Sequence, residues 1–495
     1  MILLAVVIIF LYTIYYSIQQ RYLYWKNCGL TYDEPKFPYG NIPRNYKNEP
    51  FSMIFTKLYR KLKASNDSFV GAYLYFMPVA IAMNLETIKN ILIKDFQHFE
   101  DRGLYYNGKD EPISAHLLHL EGNKWRTMRN KLTPTFTSSK MKLMFPLVES
   151  ISEKLMECLN KMCANDVVEI DVKDIVGRYT TDIIGNCAFG IDCNSLKDPD
   201  NLFKEMGRRT FQMSRHSKFL MGLIISFPKV SRFFGIKMMR DEVVEFYTKV
   251  VMDTIEHREA TNYKRNDFMD LLIHLKNNSD SEFKINLNEI LAQAFVFFAA
   301  GYETTASALT FCLYELALNV DIQDKVRESI NETITKYDGK LSYEAIADIP
   351  YLDQCIYETL RKYPPAGVLP RIVTKDYPIP NTNTILRKGT KLYIPIYAIH
   401  HDPEYYPNPE KFNPENFAKE NIDKDNLIKF LAFGDGPRAC IGLRFGLMEA
   451  RIGLIYLLKT FKFSPSSNTQ IPFEFDPNSF TLTAKGGIVL NCEKI

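Results

Sequence analysis

The chain has 495 residues, 46% of them hydrophobic and 13% aromatic, which is enough to bury a large core and excludes a disordered polypeptide. Its 61 basic and 58 acidic side chains leave a net charge of +3, so no global attraction draws it to nucleic acid or to an acidic partner. The nine cysteines (Cys28, Cys158, Cys163, Cys187, Cys193, Cys312, Cys355, Cys440 and Cys492) form neither an even set nor a C-x-x-C pair. That argues against a disulfide framework or zinc module and fits a reducing compartment.

Residues 1–17, MILLAVVIIFLYTIYYS, carry no charged side chain, and Arg21, Tyr22, Tyr24, Trp25 and Lys26 follow at once. This is the pattern of a membrane-crossing helix with an aromatic and basic flank. A cleaved secretory signal would need a basic segment before the apolar run and a small-x-small site after it; neither is present. Residues 1–20 are therefore expected to be an uncleaved anchor, and the positive-inside rule places the rest of the chain in the cytosol. PKFPYGNIP, residues 35–43, makes 21–43 a linker with a proline-rich hinge, and 44–495 reads as one domain without repeats or low-complexity tracts.

Within that domain, residues 68–83 have β-type composition broken by Gly71 and Pro78, which suggests a small antiparallel sheet. The spacing of apolar residues is helical from about 143 to 318, with loops near 198–200 and 277–281. Strand character returns at 390–398 and in the final GGIVLNC. The fold class is mainly α (α+β): a helix-rich domain with small antiparallel sheets behind an N-terminal transmembrane anchor.

Three segments stand out chemically. FVFFAAGYETTASALTFCLYELAL, residues 295–318, is apolar nearly all round, as a helix through the middle of a large domain should be, and Asn286 with Glu289 offers it a capping box. Inside it Gly301, Glu303, Thr304 and Thr305 form a polar, flexible island. These groups suit proton transfer; alternatively the threonines bond back to the preceding turn and Glu303 finds an internal partner. In YETLRKYPP, Glu358 and Arg361 share a helical face before Pro364. In FGDGPRACIG, residues 433–442, Cys440 would begin a buried helix, where the helix dipole and Arg438 would push its thiol toward thiolate, the form that ligates metals. Glycines at 434, 436 and 442 leave room for a flat ligand. Competing readings are an inert buried cysteine, a Cys/His nucleophile using His400 or His401, and a dinucleotide loop. The last fails because Pro437 interrupts it and no acid lies between Glu449 and Glu474.

Phe433, Gly436, Arg438, Cys440 and Gly442, in the pattern F-x-x-G-x-R-x-C-x-G, resemble the haem-binding signature of the cytochrome P450 family. AGYETT (300–305), ETLR (358–361) and WRTMR (125–129) are similar to further motifs of that family, in the family's order. YWKNCG, AFGIDCNSLKDPDNLF and CIGLRFGLMEA are most similar to insect microsomal, xenobiotic-handling members.

The resemblance implies a haem-thiolate monooxygenase carrying haem b (iron protoporphyrin IX). Cys440 would be the proximal iron ligand, Thr304 the oxygen-activation residue and Glu303 its acidic neighbour. Trp125, Arg129, Arg371 and Arg438 would serve the haem carboxylates, and Phe433, Gly434 and Ala300 would line the ring. Glu358 and Arg361 would be the structural pair; the family's usual third partner is an arginine where this chain has Asn416. Pocket-lining segments would be 114–120, 295–299, 366–369 and 481–483, including Ser114, Leu120, Phe295, Phe298, Ala299, Ala366, Val368 and Leu482. Implied partners are O2, a small lipophilic substrate, the endoplasmic reticulum membrane, and NADPH-cytochrome P450 reductase with cytochrome b5 as an optional second donor; nucleic acid is not among them. Lys124, Arg126 and Lys131 would steer an acidic reductase face. A haem-thiolate isomerase or dehydratase, or an endogenous hormone or lipid hydroxylase, stays open as an alternative.

Overall fold

Helical periodicity over the middle of the chain becomes a helical body in the computed structural model, which describes residues 2–43, 48–163, 166–212, 215–265, 267–278, 284–421 and 428–495. The start of the domain at 44–47 and the end of the 277–281 loop lie outside the described residues. The axis of the body is a 32-residue central helix, Leu287–Leu318. Its first turn is closed by the expected capping box: Asn286 Oδ1 accepts from the Glu289 N–H and Glu289 Oε2 accepts from the Asn286 N–H, each at 2.9 Å. Apolar residues on every side are accounted for, because helices Val172–Ile184, Pro350–Lys362 and Leu443–Thr460 surround it. Gly301 permits close approach; a Cβ there would collide with Ile184 Cδ1.

Among the described residues nine short strands flank the helices: β1 (Phe69–Leu74), β2 (Met77–Ala82), β3 (Val168–Asp171), β4 (Leu369–Ile372), β5 (Tyr377–Pro378), β6 (Ile385–Leu386), β7 (Lys391–Ile394), β8 (Phe461–Pro465) and β9 (Val489–Lys494). They make sheets of order β1-β2-β7-β4, β3-β9-β8 and β5-β6. β1 and β2 pair antiparallel, as expected of residues 68–83, and the larger sheet becomes mixed only where β2 pairs with β7 in parallel (Val79 beside Lys391) across a long crossover. Arg371 on β4 faces Leu392 on β7.

The N-terminal helix runs Ile2–Tyr22, and its apolar side chains project outward, Ile2 being 83% exposed. The central helix is as long and apolar but mostly buried, so of the two only the N-terminal one has a surface suited to lipid. The segment read as a linker, residues 21–43, packs against the domain at its start. Trp25 is fully buried and its Nε1 donates to the Ala72 carbonyl at 3.0 Å, while the Tyr73 hydroxyl donates to the Tyr22 carbonyl at 2.8 Å and the Tyr22 hydroxyl to the Tyr75 carbonyl at 3.0 Å. Proline and glycine shape its turns, but its aromatic residues bury enough surface to dock it.

Candidate functional site

The cysteine loop is built from left-handed glycines. Gly434 and Gly436 sit at φ +66° and +69°, and a Cβ on Gly436 would strike the Leu92 carbonyl. A Cβ on Gly434 would meet nothing closer than Ala439 Cα at 3.9 Å and Leu369 Cδ2 at 4.0 Å, so this glycine leaves an open cradle beside Leu369. The Cys440 N–H donates to the Phe433 carbonyl at 2.8 Å, which closes the loop under the sulfur.

Two expectations are corrected here. The helix begins at Leu443 with Gly442 as its cap, so Cys440 precedes it. Arg438 also turns away from the sulfur: its guanidinium stacks 4.0 Å over the Trp125 ring, and its Nη2 donates to Leu120 O at 2.8 Å and Asp101 Oδ1 at 3.2 Å. Protein packed around the sulfur pushes the Cys440 thiol up rather than down even though the residue keeps exposed surface, with partial offset from the Gly442 N–H, Arg129 and Arg102. A coordinated cation would be needed to hold the thiolate.

The nucleophile alternative loses its base. His400 spends both ring nitrogens on backbone, Nδ1 with Arg361 O and Nε2 accepting from Leu431 N, each at 2.9 Å, and His401 is bonded to Tyr397 O. Among the described residues no strand directly precedes the loop either, which agrees with the failure of the dinucleotide reading.

Beside the loop lies an excess of buried cations. Arg371 and Arg438 are nearly fully buried, yet Arg371 Nε and Nη2 and Arg438 Nε and Nη1 have no hydrogen-bond partner. Arg102 joins them by donating to the Arg438 carbonyl at 3.1 Å. Burial and mutual repulsion push Arg371 well down; Arg438 falls to about 9 for the same two reasons, and Arg102 to about 10 through burial. Four buried donors without a hydrogen-bond partner, with Asp101, Glu100 and Glu121 the carboxylates felt by Arg438, cost several kcal/mol unless an anion arrives, at about 1–3 kcal/mol per unsatisfied group. The two carboxylates of iron protoporphyrin IX match that deficit, so the residues present fit the group. Trp125 is buried beside them, and Arg129 is close enough to Cys440 to feel its charge.

On the central helix, Ala300 is exposed and Thr304 half-buried within an otherwise enclosed stretch. Thr304 Oγ1 donates back to the Ala300 carbonyl at 2.6 Å, as the structural alternative anticipated, so it must rotate to donate elsewhere. Glu303 is buried, and burial lifts its carboxyl to about 7, with Lys173 opposing and Asp476 reinforcing the rise. Thr305 faces the fully buried Glu449 of the cysteine helix, and Phe297 packs on Phe445 with ring centroids 5.9 Å apart, which ties the two helices together.

The expected pocket residues divide. Leu482 N–H bonds to Pro365 O at 3.0 Å, which joins Leu482 to the exposed Ala366, half-buried Val368 and Leu369. Phe295 lies by His116, and Ala299 is buried one turn on. Ser114 instead turns into its own loop, donating to Glu111 O at 2.7 Å. Phe298 is fully buried in a cluster with Phe203, Tyr247 and Tyr302. Leu120 is buried, its carbonyl holding Arg438. Of the basic trio, Arg126 is engaged by Glu100 (Nη2 to Oε2, 2.8 Å) and Lys131 by Lys284 O, while Lys124 is exposed.

Glu358 and Arg361 form a fork–fork pair, both bonds at 2.8 Å, with both side chains 0% exposed. Asn416 Nδ2 reaches both Glu358 oxygens at 3.2 and 3.3 Å, so a neutral donor occupies the third position. Sequence reasoning missed Arg102, His119 and Glu449. Arg102 and His119 (Nδ1 to Ser114 O, 3.1 Å) lie in irregular chain with no motif, and Glu449 is one acid in an apolar helix.

Comparison with known proteins agrees with this geometry. A family model described as Cytochrome P450 matches residues 35–491. The chain is 44% identical to "Probable cytochrome P450 6a23" of Drosophila melanogaster, covering 100% of this chain and 99% of that protein. It is 42% identical to "Cytochrome P450 6A1" of Musca domestica, over 97% of this chain and 95% of the relative. A cysteine set in a glycine cradle beside unsatisfied arginines, carried on a chain alike from end to end, places this protein in the cytochrome P450 family of haem-thiolate monooxygenases.

Proposed function

We propose that the chain is a membrane-tethered monooxygenase of lipophilic small molecules, xenobiotics above all, with residues 1–20 as anchor and 44–495 as a catalytic domain on the cytosolic face of the endoplasmic reticulum. The observation that carries the site assignment is the buried surplus of arginine donors next to Cys440. In this reading Cys440 Sγ holds the iron, Arg102, Arg371 and Arg438 with Trp125 hold the haem carboxylates, and Arg129 stabilises the thiolate. The bound haem supplies dioxygen activation and transfer of one oxygen atom to substrate. Apolar side chains at Phe295, Ala299, Ala366, Val368 and Leu482 favour recognition by shape. Electrons come from NADPH through a flavoprotein reductase, as family membership suggests, and Lys124 is the basic side chain left to meet it.

Purified protein is expected to convert a lipophilic substrate only when O2, NADPH and reductase are all present. Conversion without reductase would support an isomerase or dehydratase instead.

Thr304 Oγ1 and the Glu303 carboxyl are assigned to proton delivery. Thr304→Ala is expected to slow product formation by roughly 100-fold, the low end for a positioned proton-transfer group, while NADPH oxidation falls far less. Measuring both rates in one assay separates uncoupling from general damage. Glu303 titrates near 7, so it is protonated below that pH and loses its proton above it. The product-to-NADPH ratio should therefore decline as pH rises through about 7, and Glu303→Gln should remove that limb. An unchanged profile in Glu303→Gln would assign the proton elsewhere.

A further inference from the structure

Glu449 is an acid that the site described above does not use. It lies on the helix Leu443–Thr460, has no exposed surface, and neither Oε1 nor Oε2 has a hydrogen-bond partner. No cation is among the groups it feels: burial raises its carboxyl well above the usual range, against a smaller opposing pull from the Thr305 hydroxyl. At physiological pH it is therefore a neutral acid, with one O–H to donate and an oxygen that accepts. An O–H left unmatched in a dry interior is unfavourable, so its partner has to come from the elements packed around it.

Three groups face it from neighbouring elements. Tyr179, on the helix Val172–Ile184, is already committed: its hydroxyl donates to the Glu449 backbone carbonyl at 3.2 Å and shares a bond with Ser152 Oγ at 2.9 Å. Cys187 is fully buried and offers only a thiol, a weak partner. The third is Thr305 on the central helix. Thr304 and Thr310 turn their hydroxyls back to the carbonyls of Ala300 and Ala306, at 2.6 and 2.7 Å. Thr305 points across to the cysteine helix instead: a Cβ on Gly446 would stand 3.8 Å from Thr305 Oγ1, and Gly446 precedes Glu449 by three residues on the same helical face.

We propose that Glu449 is a positioning residue for the oxygen side of the site, its neutral carboxyl donating to Thr305 Oγ1 and so tying the turn 301–305 to the helix that follows the cysteine loop. The proposal rests on the reading of Thr304 as a proton-delivery group and names a residue that acts through it. Thr304 must leave the Ala300 carbonyl to donate elsewhere, and a turn anchored through the next residue lets that hydroxyl rotate while the backbone beneath it stays in place. Glu449 itself touches neither haem nor substrate in this reading.

The test measures product formed per NADPH oxidised by the full-length, haem-loaded protein with reductase in detergent, on dodecane, biphenyl and 7-ethoxycoumarin as probes, and in parallel the amide hydrogen exchange of residues 300–305. Glu449→Met is expected to keep its haem and its probe binding, to lower the product-to-NADPH ratio by about threefold to tenfold, the range one neutral hydrogen bond allows, and to speed exchange at 300–305. Glu449→Gln, neutral and still a donor, should match wild type in both readouts; a residue that merely filled space would leave the Gln and Met variants alike. Thr305→Val should reproduce Glu449→Met, and carries the test alone if Glu449→Met does not fold; the double variant should be no worse than either single change. Wild-type ratio and exchange in Glu449→Met or in Thr305→Val, or equal losses in Glu449→Gln and Glu449→Met, would overturn the proposal. Thr304→Ala, run beside them, keeps the two readings apart. If Thr304→Ala stays coupled, the proton-delivery reading falls together with the proposal; if it uncouples while Glu449→Met does not, only the proposal falls. Should wild type form no product from any of the three probes, the lipophilic-substrate reading falls and exchange at 300–305 decides the Glu449 anchor.

Discussion

Cys440→Ser is expected to abolish the strongly red-shifted Soret band that a thiolate-ligated haem shows when reduced under carbon monoxide. The substitution exchanges one atom. The Cys440 backbone N–H still bonds to Phe433 O, the glycine turns at 434 and 436 are untouched, and helix Leu443–Thr460 starts after the substituted residue. Stability of the polypeptide should change by no more than about 1 kcal/mol. What changes is the ligand: a hydroxyl is harder to deprotonate and a poorer electron donor, in a place where burial already disfavours the anion. Loss of the band with retained circular dichroism would assign the sulfur as ligand, and a surviving band would show that another residue holds the iron. The eight other cysteines are poor substitutes, since Cys28 and Cys158 are half-buried and the remaining six fully buried.

What could be read in advance follows from how local each feature is. The cysteine loop is legible because Cys440, the cradle glycines and the helix start occupy ten consecutive residues, and the capping box because Asn286 and Glu289 are three apart. The direction of the Cys440 shift was not, because it depends on the protein packed around the sulfur and on where Arg438 points, and Arg438 is claimed by Trp125, Asp101 and Leu120. Arg102 was invisible for the same reason: its role exists only because Arg371 and Arg438, more than 250 residues away in sequence, converge on it. The packing at the start of the 21–43 segment was not legible because turn residues dominate its composition while one buried indole, Trp25, docks it. That Phe295 and Phe298 share the Tyr247 ring is likewise a tertiary fact no periodicity contains.

The second large effect is expected at the Glu358–Arg361 pair. Arg361→Ala leaves a carboxylate with no exposed surface facing only the Asn413 N–H at 2.9 Å and the Asn416 amide at 3.2 and 3.3 Å. Stranding one partner of a buried pair costs about 3–5 kcal/mol. The damage should reach the cysteine loop, because Arg361 also donates to His400 O and Pro409 O, each at 2.8 Å, and His400 Nε2 in turn accepts the Leu431 N–H next to the loop. Urea titration of the haem-loaded protein, followed by the carbon monoxide band, should therefore show Arg361→Ala losing its haem at a much lower midpoint than wild type. Asn416→Ala, which removes only two long neutral bonds, should cost about 1–2 kcal/mol. If Asn416→Ala were as damaging as Arg361→Ala, the amide rather than the ion pair would be the element that holds this corner. Replacing both charged partners with apolar residues of similar volume should cost less than the two single changes summed, since neither charge is then left alone. Full additivity in that cycle would mean that Glu358 and Arg361 act independently, despite the fork between them.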